Sequence, residues 1–107
     1  MDDAPIIPVI ETLKLFRDAG HRVEIWSGRS DEVRAETEVW LTEHIGAGTT
    51  VTRMRREGDS QPDDQLKEWW LLSEPSRPDL VFDDRDKVVA MWRRNGIRCA
   101  QVAPGDF

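Results

Sequence analysis

The sequence has a single cysteine, no long apolar run and a negative net charge. Its one cysteine, Cys99, excludes an internal disulfide and a zinc site built from several cysteines. No apolar run approaches the roughly twenty residues that a membrane span requires. The acidic start, MDDAP, is unlike the basic region of a signal peptide. These absences predict a cytoplasmic protein with no membrane span.

The charge balance and the length limit the function further. A net charge of -6 argues against a broad nucleic-acid-binding face, because neutralising several phosphates requires clustered Lys and Arg. Short basic clusters remain at 53–56 and 93–94, so a small anionic group could still be bound. At 107 residues, the chain is long enough for one domain with a modest core and too short for two. We therefore expect one domain over residues 1–107.

Helical and strand patterns alternate along the whole chain. The sequence predicts helices over 8–20, 30–46, 63–73 and 86–95, and strands over 21–27, 49–55, 80–82 and 97–102. This alternation is typical of an α/β fold in which a parallel sheet carries helices on both faces. The helical tryptophans are expected in the core or at a domain interface; they are Trp40, Trp69, Trp70 and Trp92.

Polar residues follow the predicted strands, at the sheet edge where such folds bind ligands. They are Ser27, Gly28, Arg29, Arg55, Asp83 and Asp84, with Lys67 one turn into the third helix. Ser27 and backbone N–H groups would donate to a phosphate, and Arg29 and Lys67 would neutralise its charge. Adjacent carboxylates repel one another unless a cation or water lies between them, so Asp83 and Asp84 indicate either a magnesium site or a solvated turn.

Each of these features also has a plainer interpretation. Ser-Gly-Arg is compatible with an ordinary turn from strand to helix, and the acid pair with the solvated start of the fourth helix. Lys67 is compatible with a solvent-facing helix residue. The order of the three features, a strand with Ser-Gly-Arg, a helix with Lys and a strand with Asp-Asp, favours a phosphate site with Mg²⁺.

Three stretches resemble the haloacid dehalogenase superfamily of phosphotransferases, most closely the phosphatase domain of phage-type polynucleotide kinase/3′-phosphatases. They are AGHRVEIWSGR, MRREGDSQPDDQLK and DDRDKVVAMWRRNGIRCAQVAPGDF, similar to the second, third and fourth motifs of the family. The resemblance implies a Rossmann-like core, Mg²⁺ as cofactor and hydrolysis of phosphate monoesters during DNA or RNA repair.

The resemblance also implies a role for each candidate residue. Ser27 and Lys67 are the catalytic pair, since one binds the phosphate and the other neutralises its charge. The phosphate-binding residues are Ser27, Gly28, Arg29, Arg55 and Lys67, with Asp63 as a support for Lys67, and the magnesium ligands are Asp83 and Asp84.

The first motif of the superfamily, an apolar strand ending in Asp-x-Asp-Gly-Thr, does not occur in the sequence. That strand carries the nucleophile and is the centre of the family's sheet. Covalent phosphoryl transfer needs a carboxylate in line with the phosphorus, so we expect the chain alone to be poorly active or inactive. The edges left open by the missing strand predict a homo-oligomer or a partner segment that supplies it.

Three functions are compatible with this pattern. The first is a polynucleotide 3′-phosphatase domain of an end-healing enzyme, acting on a phosphorylated nucleic-acid end. The second is a non-catalytic module that binds phosphate or a partner. The third is a small-molecule nucleotidase, because the acidic balance suits a compact substrate such as a nucleotide.

Overall fold

A computed structural model describes residues 7–107, so the acidic start lies outside the described residues. The elements are α1 (Ile7–Asp18), β1 (Trp26–Ser30), a 3₁₀ turn (Asp31–Val33), α2 (Arg34–His44), β2 (Arg53–Arg55), α3 (Asp63–Ser73), β3 (Val81–Asp83), α4 (Asp86–Arg94) and β4 (Cys99–Gln101). Helices and strands alternate as predicted. Within the described part of the chain, no helix combines the length and the hydropathy needed to cross a membrane.

The strands form two parallel pairs. β1 pairs with β2, with Trp26 opposite Arg53, and β3 pairs with β4, with Val81 opposite Cys99. Parallel neighbours need a crossover connection, and a helix supplies it in each case: α2 between β1 and β2, and α4 between β3 and β4. The described strands therefore form two sheets of two strands each, and the predicted parallel α/β class is confirmed.

The described residues fall into two compact units, one reaching to Asp59 and the other starting at Ser60. Each unit has the order helix, strand, helix, strand. The first core consists of Ile10, Leu41, Ile45, Val51 and Met54. The second core consists of Leu66, Trp70, Leu71, Val88, Val89, Met91, Trp92, Ile97 and Cys99. That residues 1–107 form one domain stays a prediction.

Helix α4 shows how the sequence builds the second unit. Val88 and Trp92 lie one turn apart on the same helix face, and both are buried. Arg93 and Arg94 occupy the last turn, where positive charge complements the helix dipole. Gly96 follows with a φ of 78°, a backbone conformation that suits glycine after a helix. The sequence prediction of this helix and its end is confirmed to within a residue.

Some predicted boundaries were wrong. The strand expected over 21–27 is formed by Trp26–Ser30, so it runs through Ser-Gly-Arg instead of ending at Ser27. Its partner β2 has only three residues, and a strand extends only as far as its partner allows. Among the tryptophans, Trp70 and Trp92 lie in the core as expected, whereas Trp69 is 62% exposed and does not.

Candidate phosphate and metal site

The Ser-Gly-Arg segment lies in an irregular part of β1. The pairing with β2 shifts register between Ser27 and Ser30, so the chain bulges there. Bulges re-aim side chains and are frequent beside active sites. Ser27 Oγ accepts the backbone N–H of Arg29 at 3.1 Å, and its own O–H can still donate to an anion. Arg29 is exposed, so this segment presents a hydroxyl and a guanidinium suited to a phosphate.

Arg55 supports this segment from β2. Its Nε–H donates to the Gly28 carbonyl at 2.7 Å, and its Nη1 lies 3.7 Å from an Asp59 carboxylate oxygen. The Arg55 side chain is largely buried, with 15% exposed. The structure therefore brings four predicted site residues together, since Arg55 binds the carbonyl of Gly28, which lies between Ser27 and Arg29. A direct contact of Arg55 with phosphate stays a prediction.

Lys67 is the centre of a charge cluster in the second unit. Its Nζ lies 3.4 Å from Asp63 Oδ2 and 3.4 Å from Asp83 Oδ2. Asp63 and Lys67 are one turn apart on α3, a spacing that lets oppositely charged side chains meet. Lys67 is only 9% exposed, and a charge so buried needs partners of opposite sign. The structure thus brings Asp63 and Lys67 together, and the role of Asp63 at a phosphate site stays a prediction.

The Asp83 carboxylate accepts four hydrogen bonds. Oδ1 accepts the backbone N–H of Asp84 at 2.8 Å and of Arg85 at 3.4 Å. Oδ2 accepts Nζ–H of Lys67 at 3.4 Å and the indole N–H of Trp92 at 3.3 Å. A carboxylate has about four acceptor positions, so these donors fix its orientation. Trp92 was expected in the core or at a domain interface, and its polar role was not predicted because no local spacing signals it.

The Asp84 carboxylate is half-buried and makes no hydrogen bond or ion pair within residues 7–107. No group of three or more His, Cys, Asp or Glu in the same range is arranged around a common metal position. Mg²⁺ is often held by only one or two carboxylates, with water and substrate phosphate completing its shell. The donor set fits such an ion through Asp84, whereas Asp83 would join it only by exchanging one of its four present hydrogen bonds for one from a metal-bound water.

Two titratable groups of the second unit are perturbed. Burial raises the pKa of the Cys99 thiol, and the nearby Asp83 charge raises it further. The hydrogen bond from Asn95 lowers the pKa of the Glu68 carboxyl, and Arg94 adds to this effect. Cys99 is therefore favoured as a buried thiol.

Comparison with known proteins supports the class that the fold and these residues define, a phosphatase-type α/β domain. The family model of the polynucleotide kinase PNKP phosphatase domain, a member of the haloacid dehalogenase superfamily, matches residues 1–107. The chain belongs to this family, and the predicted resemblance is confirmed.

Two solved structures are similar to the chain over nearly its whole length. One is described as the Pnkp1/Rnl/Hen1 RNA repair complex, with 33% identity and a TM-score of 0.87, covering 99% of this chain and 35% of the other. The second, described as the Pnkp1/Rnl/Hen1 complex, has 33% identity and a TM-score of 0.88, covering 99% of this chain and 38% of the other. The chain thus spans little more than a third of the chains that it matches.

Proposed function

We propose that this chain is the phosphate-binding part of a Mg²⁺-dependent polynucleotide 3′-phosphatase of an end-healing enzyme. The observation that carries the proposal is Lys67, which is buried between Asp63 and Asp83. A buried cation held by two acids is costly for stability alone and is common where a charged substrate is bound. Membership of the PNKP phosphatase family and similarity to chains of an RNA repair complex support a phosphorylated nucleic-acid end as substrate.

In this proposal each unit contributes residues that bind phosphate. Ser27 and Arg29 donate hydrogen bonds to its oxygens, and Lys67 neutralises the charge that develops during transfer. Donors held in place before the reaction lower the barrier, because they need not reorganise as charge develops. Asp63 and Asp83 keep Lys67 in position, and Arg55 does the same for the Ser27 segment.

Mg²⁺ would be held by Asp84 directly, and by Asp83 through a water that replaces one of the four present donors to the Asp83 carboxylate. When bound, the ion would supply positive charge to the phosphoryl oxygens. We expect Mg²⁺ to raise the melting temperature, since a ligand that binds only the folded state stabilises it. Asp84→Asn should abolish the rise, whereas Asp79→Asn, the same change at an exposed position of the second unit, should leave it intact. If Mg²⁺ does not change the melting temperature of the wild-type chain, the solvated-turn interpretation is favoured.

The nucleophile is the one group that the proposed site lacks. We propose that it comes from a segment outside these 107 residues, because no Asp-x-Asp-Gly-Thr motif occurs in them. The chain alone should then release only trace phosphate from a 3′-phosphorylated oligonucleotide, with or without Mg²⁺. Ordinary enzymatic turnover that is lost in Ser27→Ala would show that a residue of this chain supplies the nucleophile.

Phosphate recognition can be tested directly by binding. Fluorescence anisotropy should show tighter binding of a 3′-phosphorylated oligonucleotide than of the same oligonucleotide with a 3′-hydroxyl. Arg29→Gln should remove most of this difference, while Arg22→Gln, the same charge change at another exposed arginine of the first unit, should not. Equal binding of the two oligonucleotides would contradict the proposal. Full competition by a nucleoside 3′-monophosphate would favour the nucleotidase, which the net charge of -6 also suits.

We further propose that another strand adds to the two small sheets. Sheets of two strands are marginal on their own. A second copy of the chain or a partner segment could provide the additional strand. Light scattering at low micromolar concentration should detect a homo-oligomer in the first case. A clean monomer whose β1 and β3 amides resist hydrogen exchange would contradict both forms of the idea.

A further inference from the structure

The turn that carries the acid pair is contacted along its whole length by the end of the chain. We name residues 83–86 the acidic turn and residues 101–107 the C-terminal segment. Every residue of the acidic turn contacts the C-terminal segment. Val102 N–H donates to the Asp83 carbonyl at 3.1 Å, and Gln101 Nε2 donates to the Asp84 carbonyl at 3.0 Å. The Phe107 ring lies 4.5 Å from the Arg85 guanidinium, and the Gly105 carbonyl accepts the Asp86 N–H at 2.6 Å.

Gly105 makes the closest of these approaches. A Cβ atom at this position would lie 1.8 Å from the Asp84 carbonyl oxygen and 2.7 Å from the Arg85 Cα. Both atoms belong to the backbone, so a side chain could be accommodated only by moving the acidic turn. Glycine is required here because it allows two backbone segments to touch. Gly105 is buried, as this close contact demands.

The Gly105 carbonyl also caps helix α4. The residue before the helix, Arg85, provides no side-chain cap, although the first N–H groups of a helix need acceptors. Asp86 N–H obtains its acceptor from Gly105 instead. The C-terminal segment therefore supports the start of α4 and, through it, the direction in which the chain leaves the acid pair.

We propose that the C-terminal segment is the positioning element of the acidic turn and that Gly105 is its principal positioning residue. The segment fixes the backbone of Asp84, so that the Asp84 carboxylate stays available to a cation. Gln101 and Phe107 are exposed, so their contacts with the turn add little to the core. The inference rests on the proposed function in one respect, the role of Asp84 toward Mg²⁺.

The experiment compares Gly105→Ala with Pro104→Ala in the full chain. Pro104 is the exposed neighbour of Gly105, so its replacement controls for a small change in the same segment. In ¹H–¹⁵N spectra, Gly105→Ala should shift the backbone amides of the acidic turn, and its affinity for Mg²⁺ should fall about tenfold, as for other supports of a metal ligand. Pro104→Ala should leave both the amides and the affinity at wild-type values.

A second variant decides the matter if Gly105→Ala does not fold. Gln101→Ala removes the donor to the Asp84 carbonyl without a clash, and it should shift the same amides and weaken Mg²⁺ binding. Unchanged acidic-turn amides and unchanged Mg²⁺ affinity in the folded variants would overturn the inference. If the wild-type chain does not respond to Mg²⁺, the proposed metal function fails, and the amide shifts alone then decide whether the C-terminal segment positions the turn.

Discussion

The two units share the order of their elements but present their candidate site residues in different ways. In the first unit, Ser27 and Arg29 depend on a local bulge, and Arg29 is exposed. In the second, Lys67 and Asp83 are enclosed by packed helices, and the largest fully buried side chains of the described residues all lie there. Exposed groups can adapt to a ligand, whereas buried charges must be placed in advance. The difference shows that the same order of helices and strands can present candidate residues either exposed on a strand or enclosed in a core.

The largest effect should come from the two enclosed cations, one in each unit. Lys67→Met should lower the free energy of unfolding by about 3 kcal/mol, because it leaves two carboxylates facing each other without their shared cation. Arg55→Met should lower it by about 1–2 kcal/mol, because it removes the hydrogen bonds to the Gly28 and Asp59 carbonyls and the ion pair with the Asp59 carboxylate. Urea denaturation measures both changes.

A double-mutant cycle sharpens this comparison. Asp63→Asn should restore part of the stability lost in Lys67→Met, since it removes one of the two facing charges. Equal losses for Lys67→Met and Arg55→Met would show that the two units hold their cations equally firmly. The proposed difference between an exposed and an enclosed set of candidate residues would then be wrong.

A smaller effect is expected at the indole of Trp92. Trp92→Phe keeps an aromatic ring in the core but removes the N–H that donates to Asp83. We expect a loss of about 1–2 kcal/mol, typical of a hydrogen bond to a charged group. A double-mutant cycle with Asp83→Asn separates the loss of this hydrogen bond from the change in ring size.

The Trp92 bond also has a spectroscopic signature. In wild type, the Trp92 indole N–H signal should move when Asp83→Asn is introduced and should stay in place in Asp84→Asn. If the chemical shift of the Trp92 indole N–H does not change in Asp83→Asn, the role assigned to Trp92 is contradicted. Equal destabilisation by Trp92→Phe in wild type and in Asp83→Asn would show that packing accounts for the whole loss.

The local features of the candidate site could be predicted from the sequence. Ser27, Arg29 and Asp83 were found because they follow apolar runs, and Asp63 was placed beside Lys67 by a spacing of one helical turn. These inferences use only neighbours in the chain. The parallel α/β class followed in the same way, from alternating periodicities of helix and strand.

The remaining features depend on contacts between distant residues. The passage of β1 through Ser-Gly-Arg results from its pairing with β2, and periodicity does not reveal a bulge. The bond from Trp92 to Asp83 requires α4 to fold back on β3, so the pattern of α4 indicates only burial. Gly105 gave no signal as a site residue, because its importance lies in a backbone contact with Asp84.

A still smaller effect on stability is expected for the candidate residues of the first unit, Ser27 and Arg29. Ser27→Ala removes the acceptor of the Arg29 N–H and should cost about 0.5–1 kcal/mol. Arg29→Gln should change stability by less than about 0.5 kcal/mol, as is usual for surface positions. Both variants should nevertheless weaken binding of the 3′-phosphorylated oligonucleotide. If either variant unfolds, or binds the oligonucleotide as tightly as wild type, the proposed difference between the two units is wrong.

The smallest effect should appear in the pH dependence of the second unit. The hydrogen bond from Asn95 holds the pKa of Glu68 below its usual value, so the ionised form is favoured in the folded state. Because the pKa of Glu68 is lower in the folded state than in the unfolded state, where it is about 4.3, ionisation of Glu68 stabilises the fold. This stabilisation is fully present above the unfolded-state pKa and is lost as the pH falls through the folded-state pKa. Glu68→Gln removes this contribution, so the stability difference between wild type and variant should shrink as the pH falls from about 6 to about 3.

Glu43→Gln on α2 is the matched control in the first unit. Thermal melts across this range measure both differences, and a Glu68→Gln difference that stays constant down to low pH would show that the bond to Asn95 does not stabilise the ionised carboxylate.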